Sequence, residues 1–282
     1  MLITKPAGSC TDLIATVTRP LLRLFADRYT MAPLSVVVDP IRARQVLRLD
    51  AGAGFSGDIE YIYLKQLEEA ELIVMNKCDL LADDLVNELG TVLSERFPRA
   101  EVLAVSAWNG LQLTDWFSRI LGGAPTTRKH VDVDYEIYAV GEARLGWVNA
   151  RVNATGAVPF DAEVLLAEFA RALQGDLLAS GITMAHLKVS LAPRDGVGEA
   201  VAAVQVVHNE AVLAPGLPSV APLSDATMLV NLRAEASPAL LEGALRTAID
   251  GVGGPGRDLT LTLAEISAFS PGAPRPTHRD RA

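Results

Sequence analysis

Three short apolar runs punctuate the first half of the chain: Leu34–Asp39 (LSVVVD), Glu71–Met75 (ELIVM) and Glu101–Val105 (EVLAV). They constrain the fold more than any other feature. A run of four to six residues without polar alternation has no solvent face, so it belongs to a strand covered on both sides. Helix-length segments separate the runs, and strands alternating with helices build a parallel sheet with helices on its faces. Ser56 precedes a helical pattern at Ile59, Ile62, Tyr63, Gln66 and Leu67, with Asp58 and Glu60 in the first turn, where the helix dipole favours acids. Asp83 and Asp84 open another helix with Leu85, Leu89 and Leu93 on one stripe and Arg96 near its end, and residues 110–121 read as a third.

The rhythm changes after residues 122–130 (GGAPTTRKH), a Gly- and Pro-bearing polar stretch that reads as a linker. Tyr135–Val140 and Trp147–Asn153 read as a strand pair, and residues 161–178 as an amphipathic helix. Residues 183–191, 200–208 and 226–233 read as strands, and Pro238 starts a helix to about residue 250 as a first-turn proline. Gly253-Gly254-Pro255-Gly256 reads as a turn. The expected fold class is α/β: a partial parallel-sheet domain over 1–124, an α+β domain over 131–268, and a disordered tail over 269–282.

The formal net charge is −9, and residues 131–282 hold 11 Lys and Arg against 18 Asp and Glu. That balance argues against a nucleic-acid partner, whose phosphates need a basic surface. No apolar run is long enough to span a bilayer, and Lys5, Pro6 and Gly8 leave no room for a signal-peptide core, so no membrane role is expected. The two cysteines, Cys10 and Cys78, lie far apart, as in a protein of the reducing cytosol, and a cytoplasmic location is expected. His130, His186, His208 and His278 stand at no metal-ligand spacing.

The sharpest motif is Asn76-Lys77-Cys78-Asp79, directly after the second apolar run and so at the carboxyl end of a predicted strand, where open α/β sheets bind ligands. Its chemistry suits guanine. A carboxylate such as Asp79 can accept two parallel hydrogen bonds from the ring N–H and exocyclic amine, a donor pair that adenine lacks. The Lys77 stem can cover a base face, and the Asn76 amide can hold the loop. One strand later, Ser106-Ala107 ends the third run, where a backbone N–H can meet the guanine carbonyl oxygen. The plainer reading of both is a polar turn after a strand.

Gly8, Ser9, Cys10, Thr11 and Asp12 form a candidate switch-like loop near a γ-phosphate or metal, with Cys10 as a candidate soft ligand. The other reading is a helix start, with Ser9 or Thr11 as cap, Asp12 favouring the dipole and Cys10 packed as a small hydrophobe.

The segment Pro6 to Leu13 (PAGSCTDL), the Val37-Val38-Asp39-Pro40 strand end, Tyr61–Ala70 (YIYLKQLEEA) and Asn76-Lys77-Cys78-Asp79 together resemble the CobW/HypB/UreG family of P-loop GTPases, in its cobalamin-synthesis-protein-like branch. The resemblance covers roughly residues 1–121, with Glu136–Asn149 similar but less diagnostic. It implies a GTP-dependent metallochaperone or metal-centre maturation role, with GTP or GDP, magnesium and a transition metal as cofactors, and a client metalloprotein or corrinoid-related enzyme as partner. The departures are equally plain. No Gly-Lys dipeptide occurs, so the G-x-x-x-x-G-K-[ST] phosphate loop is missing. Lys5 stands where the family has an acid near magnesium, and the family's Cys-x-Cys-Cys metal motif is absent.

Three readings stay open at this stage. The chain is a truncated or degenerate family member, a non-catalytic interaction module on an old nucleotide-binding scaffold, or part of an ordinary GTPase whose true start lies upstream. If the strand that normally carries the phosphate loop is missing, Leu34–Asp39 or Glu71–Met75 exposes an edge, and association into a homo-oligomer is expected.

Overall fold

The computed structural model describes residues 5–6, 11–50, 54–122, 131–194, 202–207, 210–213, 222–254 and 256–280. The chain divides into two compact units, residues 1–141 with 273–282, and residues 142–272. The class is mixed α/β, with a parallel sheet in the first unit and a separate antiparallel sheet in the second.

In the first unit, strands β1 (Lys5–Pro6), β2 (Ser35–Val38), β3 (Leu72–Met75) and β4 (Glu101–Ala104) form a parallel sheet in chain order. All four residues of β3 are buried, the condition that an unbroken Leu-Ile-Val-Met run satisfies. β3 lies between β2 and β4, and β1 covers the outer edge of β2 at Val36 and Val37. The edge expected beside Leu34–Asp39 is thus paired over two residues.

A π-helical turn (Ile14–Thr18) runs into α1 (Arg19–Phe25). Helices α2 (Pro40–Val46), α3 (Gly57–Glu69), α4 (Asp83–Arg96) and α5 (Leu113–Gly122) follow. Tyr63 and Leu67 of α3, with Leu89 and Leu93 of α4, pack on Val36, Val38, Ile73 and Met75 as one core. On a second core, Trp116 and Ile120 of α5 meet Leu72, Val74, Leu103 and Val105. There the Trp116 indole N–H donates to Ser35 Oγ at 3.1 Å. Helix α2 is absent from the sequence reading. Asp39 nucleates it, its Oδ1 accepting from the amides of Ile41 and Arg42, with Pro40 in the first turn.

Tyr135–Val140, read as a strand from its alternation, is instead part of helix α6 (Tyr135–Arg144). Asp134 explains the difference: its Oδ1 accepts from the amides of Glu136 and Ile137 at 2.8 and 3.2 Å, an N-cap that satisfies two otherwise orphaned donors. Strand geometry begins only at Leu145.

The second unit holds a six-stranded antiparallel sheet of order β10-β5-β9-β6-β7-β8. Its strands are β5 (Leu145–Phe160), β6 (Met184–Pro193), β7 (Ala202–Val207), β8 (Glu210–Leu213), β9 (Leu223–Glu235) and β10 (Leu259–Phe269). Helices α7 (Ala162–Ala179) and α8 (Pro238–Gly253) supply its core: Leu165, Leu166, Phe169, Leu173, Leu241 and Leu245 bury against Val148, Val152, Val189, Met228 and Val230. Asp161 and Ser237 cap the two helices with side-chain acceptors. Alternate residues of the strands, including Asn149, Arg151, Lys188 and Asn231, are exposed, the period-2 pattern of a sheet buried on one face.

Among the described residues no helix is long and apolar enough to cross a membrane. The tail, expected to be disordered, has neither helix nor strand from Ser270 to Asp280, yet its Arg279 and Asp280 carry ordered contacts within the first unit.

Candidate functional site

The carboxyl ends of β2, β3 and β4 present Asp39, Asn76 and Val105 side by side, because parallel pairing keeps the strands in step. The Asn76 amide donates to Val38 O at 2.9 Å and so prolongs the ladder by one bond. Lys77 then takes the left-handed conformation, φ 69°, and turns the chain into a short 3-10 segment over Cys78–Leu80. The Cys78 amide returns to Val105 O at 3.2 Å, and its Sγ donates to Met75 O at 3.1 Å. Burial pushes the Cys78 thiol up to about 11, so this cysteine is loop packing with no nucleophilic character at neutral pH. Asp79 follows, exposed.

Two cross-strand bonds brace this turn. Lys77 Nζ lies 3.1 Å from Asp39 Oδ2, each side chain about a quarter exposed. Asp39 therefore joins two tasks, capping α2 with one oxygen and pairing Lys77 with the other. The second brace is Asn76 Oδ1, which accepts from the Ala107 amide at 2.9 Å. Ser106 is wholly buried; its amide donates to Leu111 O at 3.2 Å and its Oγ accepts from the Asn109 amide at 3.3 Å. Trp108 follows, 58% exposed.

The structure thus joins Asn76 to Ala107 by a hydrogen bond, with Ser106 next to Ala107 in the chain and Lys77 and Asp79 on the same turn as Asn76. It also commits both amides that the sequence reading offers to a guanine carbonyl, one to Leu111 and one to Asn76. Asp39 entered the sequence reading only as a strand end. The signal that could have found its role is the Asp-Pro pair after a β-branched run, a helix N-terminus in itself.

Of the switch-like segment, Gly8, Ser9 and Cys10 lie outside the described residues, and with them the candidate soft ligand. Thr11 and Asp12 belong to a different cluster. Asp12 takes φ 63° and is fully buried. Its Oδ2 accepts from Tyr135 Oη at 2.8 Å and from Arg279 Nε at 2.5 Å. Its carbonyl accepts from the Thr16 amide and hydroxyl. The Thr11 amide reaches Tyr138 Oη at 3.4 Å, and Glu69 Oε1 accepts from the Ile14 amide at 2.7 Å. Burial, then the bond to Asp12, pushes the Tyr135 phenol up to about 12. Among the described residues no three His, Cys, Asp or Glu side chains group to hold a metal ion.

No family model matches the sequence, and no curated protein matches it. Solved structures do. The chain is similar to YjiA GTPase. The zinc-bound form from E. coli is 16% identical over 85% of this chain and 67% of that one, with a TM-score of 0.29. A zinc-bound triple mutant of YjiA GTPase is 17% identical over the same shares, with a TM-score of 0.28. Agreement at this level is too slight to carry function from one protein to the other.

Proposed function

We propose that the first unit reads guanine through Asp79 and the turn that presents it, as the resemblance to the CobW/HypB/UreG GTPases implies. The observation that carries this reading is an exposed carboxylate on a turn pinned at both flanks, by Lys77–Asp39 on one side and Asn76–Ala107 on the other. Such a carboxylate is preorganised to accept the paired ring N–H and amine of guanine. Adenine offers no such pair and leaves the acceptor unmatched. The Lys77 stem lines the turn, and Trp108 offers an exposed ring beside Ala107. For the guanine carbonyl to take the Ala107 amide, the Asn76 side chain has to release it, so base binding exchanges one hydrogen bond for another.

The phosphates have less to hold them. No Gly-Lys dipeptide exists in the sequence, and most nucleotide affinity in P-loop proteins comes from charge-assisted phosphate contacts. Binding is therefore weak and base-selective, about 4 kcal/mol or millimolar. Magnesium does not fit the switch-like acid, because the Asp12 carboxylate is committed to Arg279 and Tyr135. A metal-centre maturation role, with a client metalloprotein or corrinoid-related enzyme, enters only as what the resemblance adds to the guanine site.

Calorimetry with guanosine, GDP, GTP and ATP tests the proposal. Guanosine should bind nearly as well as GTP, ATP worse, and Asp79→Ala should abolish binding, with no hydrolysis detected. Micromolar GTP binding with magnesium-dependent turnover would overturn it, because that requires a phosphate site.

A further inference from the structure

The cluster around Asp12 is built like a ligand site, and the chain itself supplies the occupant. From Gly272 to His278 the tail runs largely exposed, then Arg279 and Asp280 dip inward. Arg279 Nε meets the fully buried Asp12 carboxylate at 2.5 Å while its guanidinium lies over the Tyr135 ring, 4.6 Å from the centroid. Carboxylate at the edge and aromatic face beneath is the arrangement that selects a planar guanidinium. Asp280 adds two further contacts: its amide donates to Ala15 O at 2.8 Å, and its Oδ2 accepts from Arg23 Nε at 2.8 Å. The host side comes entirely from residues 12–23 and 135, and the guest side from two consecutive residues.

We infer that Asp12, Tyr135, Ala15 O and Arg23 form a recognition site for an Arg-Asp peptide segment, occupied in cis by the chain's own Arg279-Asp280. The polarity of the site fixes the order of the two residues. Exchanging them would set a guest carboxylate on Asp12 and a guest guanidinium on Arg23, two like-charge encounters, one of them buried. Pro271, Pro274 and Pro276 stiffen the strap that delivers the pair and lower the entropy lost on docking. In the intact chain the strap supplies a high effective concentration, so the site is closed to free peptide. Release of the strap opens it to a second Arg-Asp segment.

The test uses the full chain with a protease recognition sequence placed within residues 271–276, cut after folding and separated from its tail. A fluorescent peptide of sequence PRPTHRDRA should bind the cut protein with a Kd on the order of 10 μM. The uncut protein should bind it at least about tenfold more weakly, and so should the cut protein when Arg and Asp are exchanged in the peptide. Uncut R279A,D280A, which keeps the strap without its anchor, should take up the peptide in trans. The inference is overturned if cut, folded protein ignores the peptide or accepts the exchanged one equally. It is overturned too if both the cut chain and R279A,D280A lose their fold, since the pair is then part of the core.

Discussion

Removing the Arg279 side chain tests the buried pair of the first unit directly. Asp12 is fully buried, and Arg279 is the cation paired with it. One carboxylate oxygen is shared by Arg279 and Tyr135, while Oδ1 finds no partner among the described residues. Arg279→Ala therefore leaves a buried charge held by one phenol. Breaking a buried pair from one side costs about 3–5 kcal/mol, a large part of a domain's typical stability of about 5–15 kcal/mol. Asp12→Asn removes the charge instead and keeps a residue type that tolerates the positive φ. Its cost should be smaller, because Arg279, partly exposed and preceded by exposed residues, can turn to water. The double variant should then be more stable than Arg279→Ala alone by at least about 1 kcal/mol. Urea unfolding in a Trp147→Phe background follows the first unit, since Trp108 and Trp116 both belong to it. If Arg279→Ala costs under about 1 kcal/mol and the two changes simply add, water or a shift of Asp12 already solvates the carboxylate, and the argument from burial fails.

Other expectations follow from single contacts. Ser35→Ala strands the buried Trp116 indole N–H and should cost about 1–3 kcal/mol in urea unfolding, whereas Ser35→Ala combined with Trp116→Phe should recover part of it. Gly253→Ala places a Cβ 2.4 Å from Leu261 N, backbone that cannot swing aside, and should lower the melting temperature of the second unit by a loss of about 1–3 kcal/mol. Tyr135 has its folded pKa raised above the unfolded value, so its contribution is complete below pH 10 and is lost as pH rises toward about 12. Tyr135→Phe should flatten the stability profile between those limits, and an unchanged slope would refute the assignment. In a Cys10→Ser background, Cys78 should resist alkylation at pH 8 until urea unfolds the chain; rapid native labelling would mean the thiol is not buried.

The parts of the fold legible in the sequence are those decided locally. The runs at Ser35–Val38 and Leu72–Met75 read as strands because burial on both faces imposes an apolar run, and Glu101–Ala104 reads likewise although only Leu103 of it is fully buried. That Asn76 follows such a strand was readable for the same reason. Tyr135–Val140 misled because its alternation is real but the Asp134 cap outweighs it; a cap seen from sequence is only an aspartate. The Asp39–Lys77 pair spans 38 residues and the Asp12–Arg279 pair 267, and no periodicity encodes which distant charge will meet which. Gly253 read as part of a turn, yet it closes α8 where Leu261 of β10 leaves no room for a Cβ. Close approach of two backbones is a tertiary fact, and the glycine records it without saying where the neighbour comes from.

The first unit is discontinuous in sequence: it needs residues 1–141 and also 273–282. During synthesis, residues 142–272 leave the ribosome after Asp12 and before the arginine that pairs with it. A nascent first unit therefore holds its buried carboxylate uncompensated until the residues beyond 272 emerge, and chaperone binding should favour this interval. A nonsense or frameshift change just before Arg279 removes it, and the damage falls on Asp12, 267 residues earlier, rather than on the sheet it adjoins in sequence.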